Sequence, residues 1–310
     1  MNVALALGGG VALGAYDAGA YAALHEREEL RPVRIAGTSI GAITGALIAG
    51  NPPGQRVARL REFWDQAAVD PPWPAAGVIN RRALNQLSIL GVRTFGRPGF
   101  FDPELPGALL RPGLSIYDPE PLRKRLARMI DFELLNQASF SVTTTDIETG
   151  EAVVFDTRRG HRITPEHLVA SCGFLPEFPP LEIDGRLLGD GGLVANTPVA
   201  WAVDWDRPGA WTLFVVDPFC ARRGRPSTLE QAATRRLDLL FANQTRQALR
   251  QLEARGGPRL TIVELAYRAP LHEGGPDKMF NFARSTLAER WAAGERDMRA
   301  AMERVEAVTP

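Results

Sequence analysis

The sequence predicts an α/β fold in which a parallel sheet is connected by helical crossovers. Three observations carry this reading. Val3–Leu7 is a short apolar run that ends abruptly at Gly8-Gly9-Gly10, as a buried strand ending at a glycine turn would. From Leu13 onward, Tyr16, Ala20, Tyr21 and Leu24 recur at helical spacing. A second short apolar run, Val33–Ala36, then leads through Ser39 into Ile40, Ile43, Leu47 and Ile48, again at helical spacing and stopped by Gly50-Asn51-Pro52-Pro53. The first fifty residues therefore read strand, glycine loop, helix, strand, serine turn, helix.

The later elements follow in order. Arg56–Gln66 reads as a short amphipathic helix. Residues 70–117 are rich in Pro and Gly, with Trp73, Phe95, Phe100 and Phe101 interspersed, and are expected to be irregular. Such a segment is either a lid over an apolar site or a surface insertion. Asp118-Pro119 opens a helix to about Met129, with a cap residue followed by Pro at the first position. Phe140–Thr144 and Ala152–Phe155 alternate like strands, and Thr164-Pro165-Glu166 starts a short helix. Asp184-Gly185 is a hairpin turn between Leu181–Ile183 and Arg186–Leu188. Asn196-Thr197-Pro198 is expected to start a helix over Val199–Val203, and Trp211–Val216 reads as a buried strand. Ser227-Thr228-Leu229-Glu230 has the form of a capping box, so a helix should run to about Ala254. Leu260–Leu265 reads as a last strand and Phe282–Val305 as a final amphipathic helix. No internal repeat or low-complexity tract interrupts the series.

Composition bounds the function. The chain has 310 residues, 45% hydrophobic and 23% charged, which is ordinary for a globular α/β protein. Lys+Arg and Asp+Glu are 36 each, so nothing points to nucleic acid. Cys172 and Cys220 make neither a disulfide framework nor a metal site. The N-terminus lacks the basic start of a signal peptide, and Ile35–Gly50 is too short and polar for a membrane span. A soluble, cytoplasmic protein without cofactor or metal is expected.

The chemistry should lie at the strand ends. Gly8-Gly9-Gly10 suggests a dinucleotide loop, but the sixth position of that register is Leu13 rather than glycine. Neither Lys124 nor Lys278 has a tyrosine four positions before it, which removes the reductase pair. The other use of a glycine loop is to aim backbone N–H groups at an oxyanion. That use needs a nucleophile on a neighbouring strand end. Ser39 fits, in the G-x-S-x-G pattern Gly37-Thr38-Ser39-Ile40-Gly41. For its base, His25, His161 and His167 are poorly placed, while His272 follows the last strand as a hydrolase histidine would. Asp190, among Gly189, Gly191 and Gly192, is either a turn residue or a general base. The residues alone leave this choice open.

The three motifs Gly8–Gly14, Gly37–Gly41 and Asp190-Gly191-Gly192, in this order and spacing, resemble the patatin-like phospholipase family. The neighbourhoods "GALIAGNPP" and "NTPVAWAVD" are similar as well. The resemblance implies a three-layer sandwich with a mostly parallel central sheet and helices on both faces. It implies a catalytic domain over residues 1–216, with a lid-like insertion at about 70–117. A mostly helical C-terminal extension, 217–310, would pack on the same domain. It further implies a Ser-Asp dyad without histidine: Ser39 as nucleophile, Asp190 as base, and N–H groups around Gly9, Gly10 and Val11 as the oxyanion hole. The implied activity is hydrolysis of lipid acyl esters through an acyl-enzyme. Separately, the balanced charge argues against strong electrostatic attraction to a membrane, while an apolar patch near the lid leaves transient contact with a membrane surface open. Ala12 and Leu13 stand where many members carry Arg or Lys, which leaves neutral esters, lysolipids and polyesters open. The rival readings are a non-catalytic lipid-binding protein on the same fold and a nucleotide-binding oxidoreductase.

Overall fold

The computed structural model describes residues 1–70, 80–104, 115–273 and 275–306. β1 (Asn2–Leu7) is followed by a 3₁₀ turn and α1 (Gly14–His25), then β2 (Arg34–Thr38) and α2 (Ile40–Ala49). α3 (Arg56–Ala67) and α4 (Arg81–Phe95) precede the two-residue strands β3 (Asp102–Pro103) and β4 (Tyr117–Asp118). α5 (Glu120–Met129) and α6 (Phe132–Gln137) lead into β5 (Phe140–Asp146) and β6 (Ala152–Asp156). α7 (Pro165–Ala170), the hairpin β7 (Leu181–Ile183) and β8 (Arg186–Asp190), and β9 (Trp211–Asp217) follow. α8 (Leu229–Gly256), β10 (Leu260–Ala266) and α9 (Arg284–Glu306) complete the order.

The sheet runs β10-β9-β1-β2-β5-β8-β7, with β6 also paired to β5. Strands β10 through β5 are mutually parallel, while β6, β7 and β8 add antiparallel pairing at one side. The architecture is thus mixed α/β around a mostly parallel sheet, as the sequence predicts. The period of two along the strands explains the layering. Val3, Leu5 and Leu7 of β1 enter the larger core, with α1, α2 and α3. Ala4 and Ala6 enter a second core on the opposite face, with Val199, Val203, Leu249 and Leu252. α1 is buried from Gly14 to Leu24 and, Asp17 apart, bears no charged side chain in that stretch, as suits a helix covered by a further layer. That cover is α9. An ideal Cβ at Gly19 would lie 2.0 Å from the carbonyl oxygen of Trp291, and one at Gly294 would lie 2.1 Å from that of Tyr16. The two helices therefore touch backbone to backbone, which only glycine permits.

Several expectations need correction. The segment 70–117 is not irregular throughout, since its middle is the fifteen-residue α4. Asn80 caps it by accepting the Ala83 N–H at 2.9 Å, and Asn85, Ile89 and Val92 are buried at helical spacing. The Pro and Gly signal belongs to the flanks of α4, where residues 71–79 and 105–114 lie outside the described residues. The helix expected over Val199–Val203 is only a 3₁₀ turn, Val199–Trp201. The N-cap of α8 is Thr228, one residue later than the expected Ser227, and the reciprocal capping box is not formed. The Thr228 hydroxyl accepts the Gln231 N–H, and Gln231 Oε1 accepts the Ser227 N–H. Glu230 is thereby released to pair with Arg82. The Asp184-Gly185 turn is as expected, with φ of 52° and 72° at its two central residues.

Candidate active site

The sheet register assembles the candidate residues. β6 pairs with Ser141–Thr145 along one edge of β5. The other edge is shared end to end. β2 pairs with Phe140–Thr143, and β8 pairs with Thr144–Asp146. β2 runs parallel to β5 and β8 runs against it, so their C-terminal ends meet head to head. Thr38 lies opposite Thr143, and Asp190 lies opposite the next residue, Thr144. The chain leaves β2 at Ser39, so the serine and Asp190 face one another. On the other side of β2, Leu7 of β1 is level with Gly37, which brings the glycine loop to the same height.

Ser39 has φ 55°, an unfavourable backbone conformation for a residue with a side chain. It is held by its surroundings. Its N–H donates to Ser171 Oγ at 2.8 Å, and Ser171 Oγ donates to the Thr143 carbonyl at 2.7 Å. Its carbonyl accepts the Ala42 and Ile43 N–H groups, which starts α2. The two flanking glycines are required by packing. A Cβ at Gly37 would lie 2.5 Å from Ala42 Cα, and one at Gly41 would lie 2.3 Å from the Leu7 carbonyl oxygen. α2 therefore rests directly on the strand ends.

Asp190 is 4% exposed and Ser39 5%. Asp190 Oδ1 accepts the Gly192 N–H at 2.6 Å, and its main chain is fixed by Gly173 and Thr145. Burial pushes the Asp190 carboxyl up to about 7, against the Ser39 hydroxyl and the Gly192 N–H, which both favour the carboxylate. Cys172 stands beside the pair. Burial and the neighbouring Asp190 push its thiol above the usual range, so it stays protonated and is a poor rival nucleophile.

The glycine loop is divided in its duties. The Gly9 N–H donates to the Asn196 carbonyl at 3.0 Å, so it is not available to a ligand. The N–H groups of Gly10 and Val11 have no acceptor among the described residues. Val11 has φ 51°, a strained conformation for a β-branched residue. At Gly9 a Cβ would lie 2.9 Å from Ser39 Cβ, so a side chain there would fill the space above the serine.

Two hollows meet at Ser39. One is small and carries Gly9, Gly10, Asp190, Asn196, Phe219 and Phe241. The other is an apolar slot of about 60 Å³, walled by Ile40, Ile43, Phe63, Trp64, Phe100 and Phe178. Val11 and Ser39 border both. The apolar stretch around Phe100 and Phe101 does reach the site.

No histidine borders either hollow. His272 Nε2 lies 3.3 Å from Glu289 Oε2, and its carbonyl accepts the Asn85 amide. His161 Nδ1 accepts the Asp156 N–H, His167 completes the cap of α7, and His25 meets the Tyr21 hydroxyl. Sequence reasoning missed Ser171 and Asn196. Ser171 carries no local signal. Asn196 binds Gly9 through its carbonyl and its side-chain amide, in a loop that reads only as a helix start.

Residues 5–203 match a family model described as Patatin-like phospholipase, and residues 225–310 match one described as Patatin phospholipase. Proteins of Mycobacterium bovis and Mycobacterium tuberculosis, each named an uncharacterized NTE family protein, are 30% identical over 199 residues. The match covers 64% of this chain and 45% of theirs, so the chain spans less than half the length of these curated relatives. Among solved structures, VipD from Legionella pneumophila is similar with a TM-score of 0.47 and 13% identity, over 97% of this chain and 66% of that one. Because the first family model spans well over half of the chain, the protein belongs to the patatin-like phospholipase family.

Proposed function

We propose that the protein is a lipid acyl hydrolase that works through Ser39 and Asp190 alone. The observation that carries this reading is the head-to-head meeting of β2 and β8. It sets a strained, buried serine against a carboxylate whose affinity for protons is raised to about neutrality. Such a group can take a proton at one step and return it at the next.

In the proposed cycle, Ser39 Oγ attacks the ester carbonyl carbon and its proton passes to Asp190. The N–H groups of Gly10 and Val11, with the N-terminus of α2, stabilise the oxyanion. Gly9 serves by having no side chain. As the tetrahedral intermediate collapses, the C–O bond to the alcohol breaks and Asp190 protonates the leaving oxygen. Water then attacks the acyl-serine and gives a proton to Asp190. The second collapse releases the acid and returns that proton to Ser39. The apolar slot takes the acyl chain, as its Phe and Ile walls favour. Leu87, Leu90 and Phe95, exposed along and at the end of α4, support contact with a lipid surface. Among the described residues, no helix is long and apolar enough to cross a membrane.

A fluorophosphonate probe tests this reading. It should form one adduct, located by peptide mass spectrometry at Ser39, and Ser39→Ala should abolish both the adduct and the cleavage of p-nitrophenyl esters. Ester cleavage undiminished in Ser39→Ala would refute it.

A further inference from the structure

A cavity far roomier than the hollows at Ser39 lies elsewhere on the molecule. It has a volume of about 980 Å³ and is formed by the loop after β9, the start of α8 and the loop after β10. Seven basic side chains line it against three acidic ones, in a chain whose Lys+Arg and Asp+Glu totals are equal. The three acids already have partners. Asp238 Oδ1 lies 2.7 Å from Lys278 Nζ, Glu273 Oε2 lies 3.0 Å from Arg290 Nη2, and Glu230 pairs with Arg82.

The remaining arginines divide into two sets. Arg223 and Arg235 are fixed from behind. Arg223 lies 3.4 Å from Asp238 Oδ2 and donates to the Ala269 carbonyl. Arg235 donates to the Cys220 and Ala221 carbonyls. Arg222, Arg225 and Arg268 are exposed and meet no acceptor among the described residues. Like charges gathered in a concave site repel one another and attract a multivalent anion. Guanidinium forks match phosphate oxygens two by two. The N-terminus of the 28-residue α8 opens on the same cavity and adds positive potential. Among the described residues no aromatic side chain lines it, so they offer no platform on which nucleic acid bases could stack.

We propose that this cavity is a binding site for clustered phosphate groups, separate from the cleft at Ser39. The two sites share a wall. The Lys278 ammonium, which lines the cavity, sits 5.4 Å from the ring centroid of Phe219, which lines the cleft.

The test uses the full chain. Pyrophosphate is titrated calorimetrically at low salt, and co-sedimentation is measured with phosphatidylcholine vesicles with and without phosphatidic acid. The same is done with Ser39→Ala and with the triple variant Arg222→Gln, Arg225→Gln, Arg268→Gln. Saturable pyrophosphate binding that weakens with salt identifies free phosphate as the ligand chemistry. Binding only to the phosphatidic acid vesicles identifies the same chemistry in a lipid headgroup. In either case the triple variant should lose at least about tenfold in affinity while keeping the wild-type melting temperature, since these three side chains are exposed. Ser39→Ala should bind as wild type does, which separates this site from the proposed ester chemistry. Three results would overturn the proposal: no binding to either probe, binding unchanged in the triple variant, or a preference for polyglutamate over both phosphate probes.

Discussion

Ser39 and Asp190 are nearly closed off from solvent, and this burial sets the acid–base behaviour of the site. A buried carboxylate with few donors resists ionisation, and Asp190 is raised to about 7 for that reason. The proposed mechanism needs the ionised form as base. Below about pH 7 the group is protonated and the free enzyme is inactive, and above it the group is ionised and active. kcat/KM for a short ester should therefore rise about tenfold per pH unit on the acid side and level off above about pH 7. A profile that levels near pH 4, where an ordinary carboxylate titrates, would contradict this. At this scale the sequence is informative about identity and poor about partners. The serine between glycines and the aspartate among glycines are legible because backbone crowding demands those residue types. The engagement of the Gly9 N–H by Asn196 is not legible, because it depends on where a distant loop comes to rest.

Elements, rather than single residues, bring the site together. α2 lies so close to the end of β1 that Gly41 has no room for a methyl group. Gly41→Ala must lift the start of α2 and with it Ser39. Its fluorophosphonate labelling should slow more than tenfold, with a lower melting temperature, because a misplacement of about 1 Å is costly to chemistry. Labelling at the wild-type rate would mean that the serine turn is not set by this contact. The meeting of β2 with β8 is the decisive placement, and it was hidden in the sequence. Each strand is visible by its own pattern, but register across four strands is set by packing that no local pattern encodes. α4 was partly legible. Its Asn80 cap and buried positions carry helical spacing, yet the Pro and Gly on either side mask that pattern.

At the scale of the whole molecule, the C-terminal third is built into the central sheet. β10 extends it beside β9, and α9 covers α1 through the contacts of Gly19 and Gly294. Gly294→Val should destabilise the protein by about 1–3 kcal/mol or more, read from the urea midpoint, because no side chain can yield where backbone meets backbone. An unchanged midpoint would show that the α1–α9 contact is looser than described. The amphipathic character of this last helix is legible in its sequence. Its seat on α1 is not, since glycines in a helix read only as weak points until the neighbour is known.

The central claim is that Ser39 is activated by Asp190 without any histidine. The most direct test is kcat/KM for p-nitrophenyl butyrate in Asp190→Asn and in His272→Ala, with the fold of each checked by circular dichroism. The account predicts a loss of about 10²- to 10⁴-fold for Asp190→Asn and a change within about twofold for His272→Ala. Near-wild-type activity in Asp190→Asn, or a loss of about a hundredfold or more in His272→Ala, would contradict it.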